Sequence, residues 1–136
     1  MSEILIARKK DTPRGEFKTP ARDVYVYFDS KNNDTFGAGV CQMPPGSNNE
    51  KHAHSDADEV IYVISGTMKI VVEGEENTLQ QGDAIMLKRN QVHQIFNPSE
   101  SETLIHTFTF AGTKPADAIG SGYGNDDNFT VYPPGE

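Results

Sequence analysis

Four positions in this chain could do metal chemistry: His52, His54, Glu59 and His93. His52-Ala53-His54 puts two imidazoles on one face of an extended segment, because side chains alternate across a strand. Glu59 follows the polar turn Ser55-Asp56-Ala57-Asp58 and opens an apolar run in which it shares a face with Ile61 and Val63. His93 heads another run and shares its face with Ile95 and Asn97. Gathered at one point, three imidazoles and a carboxylate make a mixed nitrogen and oxygen donor set; imidazole suits Zn, Fe, Ni and Cu, and carboxylate also suits Mn. An ion with more coordination sites than these ligands fill keeps positions open for water or a chelating substrate, which distinguishes catalytic from structural sites. Each residue alone also has an ordinary reading: exposed loop histidines, a solvated charge at a strand edge, a satisfied core or surface histidine.

Other side chains bear on the same chemistry. His106, the last of the four histidines, is aimed inward by the alternation of its strand. It is a candidate general acid or base, since imidazole titrates near neutral pH; the competing reading is a buried neutral histidine bonded to a neighbour. Cys41 reads as a buried inert thiol rather than a cavity group. Gln42 offers an amide to a ligand if its face is the inner one. Tyr62 lies on the face opposite Glu59, Asn97 is expected to hold backbone or turn structure, and Asp56 and Asp58 read as solvated turn charges.

The elements that must position these groups are short strands. Apolar runs separated by turn residues cover Asp23–Phe28, Thr35–Met43, Glu59–Ile64, Thr67–Glu73, Ala84–Leu87, Val92–Phe96 and Thr103–Phe110. Ser65-Gly66, Gly74-Glu75, Gln81-Gly82-Asp83 and Arg89-Asn90-Gln91 fall where turns are wanted. Alternation points Leu104, His106, Phe108 and Phe110 into the core, and likewise Met68, Ile70 and Val72. In Thr35–Met43 the pattern does not choose between Phe36, Ala38, Val40 and Gln42 on one side and Gly39, Cys41 and Met43 on the other. Helical periodicity is limited to one weak turn near Lys114–Ile119. The fold class is all-β, in a single domain of 136 residues.

Composition narrows the function classes. A formal net charge of −8, with Arg8-Lys9-Lys10 as the one basic cluster, opposes binding to nucleic acid. No apolar stretch approaches the roughly 18 residues that would cross a bilayer. The apolar stretch around Ile4 to Ala7 precedes its basic residues, the reverse of a secretory signal, and Cys41 is the lone cysteine. A cytoplasmic protein without membrane or nucleic-acid partners is expected.

The spacing Gly46-x5-His52-x-His54-x4-Glu59-x6-Gly66 resembles the first conserved motif of the cupin superfamily at every fixed position. After fifteen intervening residues, Gly82-x5-Lys88-x-Asn90-x2-His93-x3-Asn97 resembles the second, with Lys88 and Asn90 standing where the family usually has Pro and Gly. The resemblance implies a small jelly-roll β-barrel over residues 35–112, with an N-terminal segment over 1–34 before it and a tail over 113–136 after it; within that tail Gly120–Glu136, rich in Gly, Asn and Asp, reads as a loose tail rather than a lid over the mouth. It implies one divalent ion (Fe, Mn, Ni, Zn or Co) on His52, His54, Glu59 and His93. It also suggests a homodimer, with residues 1–30 either serving that contact or closing the barrel. The activity implied is that of a metal-dependent isomerase, lyase or dioxygenase on a small oxygen-bearing molecule such as a sugar, keto acid or enolisable compound. The alternatives are a non-catalytic module that binds or senses a small ligand, and a structural protein with a vestigial site.

Overall fold

Short β-branched and aromatic runs, broken by glycine and asparagine turns, form ten strands in the computed structural model, which describes residues 3–120 and 127–136. In chain order these are β1 (Arg14–Lys18), β2 (Ala21–Phe28), β3 (Gly37–Met43), β4 (Glu59–Ser65), β5 (Met68–Val72), β6 (Glu75–Leu79), β7 (Ala84–Leu87), β8 (His93–Phe96), β9 (Leu104–Phe110) and β10 (Phe129–Tyr132). One short helix, α1 (Lys114–Gly120), and a 3-10 turn at Lys9–Asp11 complete the described elements.

The strands make two sheets with every pairing antiparallel: a seven-stranded one in the order β10-β1-β2-β3-β9-β4-β7 and a three-stranded one in the order β6-β5-β8. The segment before β4 runs along β8 through isolated bridges Asn48↔Phe96 and His52↔His93. The sheets face each other as a jelly roll and are not joined into a hydrogen-bonded closed barrel. Met43, Ile61, Val63 and Leu104 from the large sheet meet Met68, Ile70 and Ile95 from the small one, and all are buried. A second apolar cluster holds Phe17, Val24, Cys41, Phe108, Phe110 and Phe129, all buried.

Alternation was a good guide to facing where one face is uniformly apolar. Leu104, His106, Phe108 and Phe110 are buried, as are Glu59, Ile61 and Val63, while Val60, Tyr62 and Ile64 are exposed. Strand β3 turns Gly37, Gly39, Cys41 and Met43 inward, so Gln42 stands on the outer face and offers nothing to the interior. The hairpin between β5 and β6 turns at Glu73-Gly74, both with positive φ, one residue earlier than expected. Asn90, at φ 67°, takes the left-handed turn in place of the usual glycine.

Three strands were not anticipated. β1 and β10 pair with each other, and β1 pairs with β2, which extends the large sheet well beyond the barrel strands. The expectation of a loose C-terminal tail is therefore corrected for Phe129–Tyr132, a strand whose Phe129 is buried against Phe17. Residues 121–126, part of the same stretch, lie outside the described residues. α1 covers the end of the sandwich and buries Ala116.

Candidate metal centre

The local sequence explains how four donors reach one place. His52 is held by the antiparallel bridge to His93, with backbone hydrogen bonds from His52 N to His93 O at 2.9 Å and from His93 N to His52 O at 2.8 Å. His54 follows two residues later, on the same side, and its ring stands edge-on to Phe110 at 5.0 Å between centroids. Glu59 is the first residue of β4 and points inward with Ile61 and Val63. His93 is the first residue of β8.

The ligand atoms of His52, His54 and His93 all lie within 4.8 Å of one another, a spacing that could hold a metal ion. Glu59 Oε1 stands 3.5 Å from His54 Nε2 and 3.6 Å from His93 Nε2. These separations are too long for hydrogen bonds. His54 Nε2, Glu59 Oε1 and His93 Nε2 are buried and have no hydrogen-bond partner. Buried polar atoms normally find partners, so three orphans converging from three segments are the pattern of ligands around a common centre. The outer nitrogens agree with this: His52 Nδ1–H donates to Glu50 O at 2.7 Å and His93 Nδ1–H to Gln91 O at 2.9 Å. Those bonds leave each Nε2 lone pair facing inward, the usual way a protein orients a ligating imidazole.

Electrostatics favour the same use. Burial, together with the neighbouring imidazoles of His52 and His93, lowers the His54 pKa to about 4; burial also lowers that of His93. Both are thus neutral at physiological pH, the form that binds metal. Burial pushes the Glu59 carboxyl, 6% exposed, up to about 8. Neutral histidines beside a protonated acid form no ion pair, so the short separations are not salt bridges. A cation at the centre would supply the missing charge, and the donor set fits a divalent ion of the first transition row.

A cavity of about 320 Å³ opens from this cluster. Cys41, His106, Phe108 and Phe110 form part of its wall, with Arg22 and Lys114 contributing positive charge. His106 is 4% exposed; its Nδ1–H donates to Thr107 O at 2.9 Å, and its buried Nε2 has no partner. Burial lowers its pKa to about 4. It shares the cavity but is not one of the histidines that gather within 4.8 Å. Cys41 is buried, and desolvation raises its thiol to about 12, so it stays protonated and inert. Asn97 does structural work: its Nδ2 donates to Met43 O, Pro44 O and Glu102 O at 2.8 to 3.1 Å. Asp58 accepts from the backbone of Arg89 at 2.9 Å, outside the cavity. Arg22 and Glu50 had not been singled out. The signal was present, since Arg22 shares a face with Val24 once strand β2 is extended two residues toward the N-terminus.

The described residues thus form a jelly roll that carries a group of three histidines able to hold a metal ion. A family model described as the Cupin domain matches residues 39–110, more than half of the chain, and the chain belongs to the cupin family. It is similar to the pectin degradation protein KdgF of Dickeya dadantii, 36% identical over 71 residues that make up 52% of this chain and 64% of that protein. The match thus spans less than two thirds of that relative's length. Among solved structures, an RmlC-like cupin from Shewanella frigidimarina superposes with a TM-score of 0.67 at 22% identity, covering 82% of this chain and 92% of the other. A sugar phosphate isomerase of the cupin superfamily from Silicibacter pomeroyi gives a TM-score of 0.60 at 21% identity, covering 68% and 60%. Both structural likenesses bear on the fold. Among the described residues, no helix is long and apolar enough to cross a membrane.

Proposed function

We propose that this chain is a mononuclear metalloenzyme acting on a small oxygen-bearing molecule, with His52, His54, Glu59 and His93 holding one divalent ion. The observation that carries the reading is the set of orphaned, buried donors, His54 Nε2, Glu59 Oε1 and His93 Nε2, at the wall of a cavity. When bound, the ion supplies Lewis acidity toward a carbonyl or hydroxyl oxygen. Phe108 and Phe110 give that space an apolar wall, which limits water and strengthens polar contacts inside. His106 Nε2, whose tautomer is fixed by the Thr107 carbonyl, accepts a proton or a hydrogen bond from the bound molecule. Isomerisation or a lyase reaction needs no more machinery than this, and both are compatible with relatives named for pectin degradation and sugar phosphate isomerisation.

A second reading is binding without turnover, and the burial of His106, 4% exposed, favours it. With its pKa lowered to about 4, His106 is a weak base near neutral pH and a better hydrogen-bond acceptor than proton abstractor. Elemental analysis of the purified protein tests the shared part: close to one divalent ion per chain is expected, lost in His52→Ala and His93→Ala with circular dichroism still β-like. A folded wild-type protein that takes up no metal overturns both readings. Substrate turnover that survives His106→Ala undiminished removes His106 from the chemistry.

A further inference from the structure

A second polar feature of the cavity has no part in holding metal. Arg22 points inward from β2 and is 7% exposed, unusual for an arginine. Its guanidinium lies 3.8 Å from the ring centroid of Phe17, the residue directly opposite it on β1, so the fork is pinned in one orientation. Nη1 donates to the carbonyl of Pro20 at 3.0 Å and Nη2 to Glu50 Oε2 at 2.6 Å. A guanidinium has more N–H donors than these two bonds use. Glu50 is 46% exposed in its side chain, so water can solvate its carboxylate if it lets go. Its backbone carbonyl is the group that orients His52, and that bond does not depend on where the carboxylate sits. Lys114, from α1, adds a second positive charge to the same cavity. These charges stand out in a chain of net charge −8, whose overall field repels anions, so an anion admitted here needs a local anchor.

We propose that Arg22 anchors the carboxylate of the ligand, that the ligand class is a small 2-oxo or 2-hydroxy carboxylate, and that Glu50 occupies the guanidinium until that carboxylate replaces it. The planar fork matches a carboxylate in bidentate fashion, and Glu50 shows a carboxylate already seated on it. The 2-oxygen of such a ligand is the atom that would face the histidine cluster. The inference rests on the reading of the cavity as a ligand site and not on metal occupancy, and its test separates the two.

Calorimetric titration of the purified protein, with and without one equivalent of Zn(II), compares pyruvate with hydroxyacetone, a neutral molecule of similar size. Pyruvate is expected to bind at least about tenfold more tightly than hydroxyacetone. Arg22→Gln removes that preference, Arg22→Lys retains part of it, and Glu50→Gln strengthens pyruvate binding severalfold by removing the competing charge. Failure of the zinc-loaded wild type to bind pyruvate overturns the proposal, as does a preference that persists in Arg22→Gln. If Arg22→Gln does not fold, unchanged or weaker pyruvate binding by Glu50→Gln has the same force. Elemental analysis of the same samples reports on the metal separately. A protein without metal that still selects pyruvate through Arg22 keeps the anchor and loses the metalloenzyme; a metal-loaded protein indifferent to Arg22 does the reverse.

Discussion

At the scale of single side chains, Asn97 shows how little the chemistry of a residue says about its use until its neighbours are known. Its buried amide bridges three carbonyls, of Met43, Pro44 and Glu102. Asn97→Ala leaves those acceptors short of a donor, and urea denaturation should show a loss of roughly 2–3 kcal/mol with little change in metal content. If metal is lost and stability is kept, Asn97 belongs to the site. The histidines were legible in the sequence because their types and intervals together match a motif, although each alone has an ordinary reading. Arg22 was not, because an arginine beside Asp23 at the start of a strand looks like surface charge. Its role depends on the stacking against Phe17, across the pairing of β1 with β2, and on the ion pair with Glu50, 28 residues further along the chain.

At the scale of elements, the strands with clean alternation, β4, β5 and β9, were legible with their facing. The undecided strand β3 illustrates the limit. Two of its inward positions, Gly37 and Gly39, have no side chain and so leave no hydrophobic signal. The structure explains their identity: a Cβ at Gly39 would intrude on the carbonyl of Tyr25 and on the ring of Phe108. Gly39→Ala should therefore destabilise the protein by about 3 kcal/mol or more, measured by chemical denaturation, since backbone rather than a movable side chain is in the way. A neutral outcome would mean that β2 and β3 can separate at no cost. β1 and β6 escaped notice for a related reason, whereas β10, Phe129-Thr130-Val131-Tyr132, carries aromatic and β-branched residues and was taken for part of the tail. Arg14, Glu16 and Lys18 dominate β1, and in β6 only Leu79 is buried, so neither carries an apolar run. Polar strands of this kind are defined by the partners they pair with, which a local pattern does not contain.

At the scale of the whole molecule, the cluster makes stability depend on pH in two directions. Folded His54 and His106 have pKa values lowered from 6.5 to about 4, so their contribution is present above pH 6.5 and is lost as pH falls toward 4. Folded Glu59 has its pKa raised from 4.5 to about 8, so its contribution is present below 4.5 and is lost as pH rises through 8. Between 4.5 and 6.5 the two histidines outweigh the one acid; above 6.5, of these three groups, Glu59 alone still titrates. The chelator-treated protein should accordingly melt at its highest temperature near pH 6.5 and at progressively lower temperatures up to pH 8.5. Glu59→Gln has no proton to lose there and should flatten that alkaline limb, while every other titrating group is common to both proteins and cancels in the comparison. Added zinc should restore the wild-type melting temperature at pH 8.5, where the carboxylate is ionised and free to ligate, and should do less for Glu59→Gln. Thermal melts of the two proteins across pH 5 to 9, with and without zinc, read out all of this. An equally steep alkaline fall in Glu59→Gln would mean that the buried carboxyl is not what the metal-free fold strains to keep neutral.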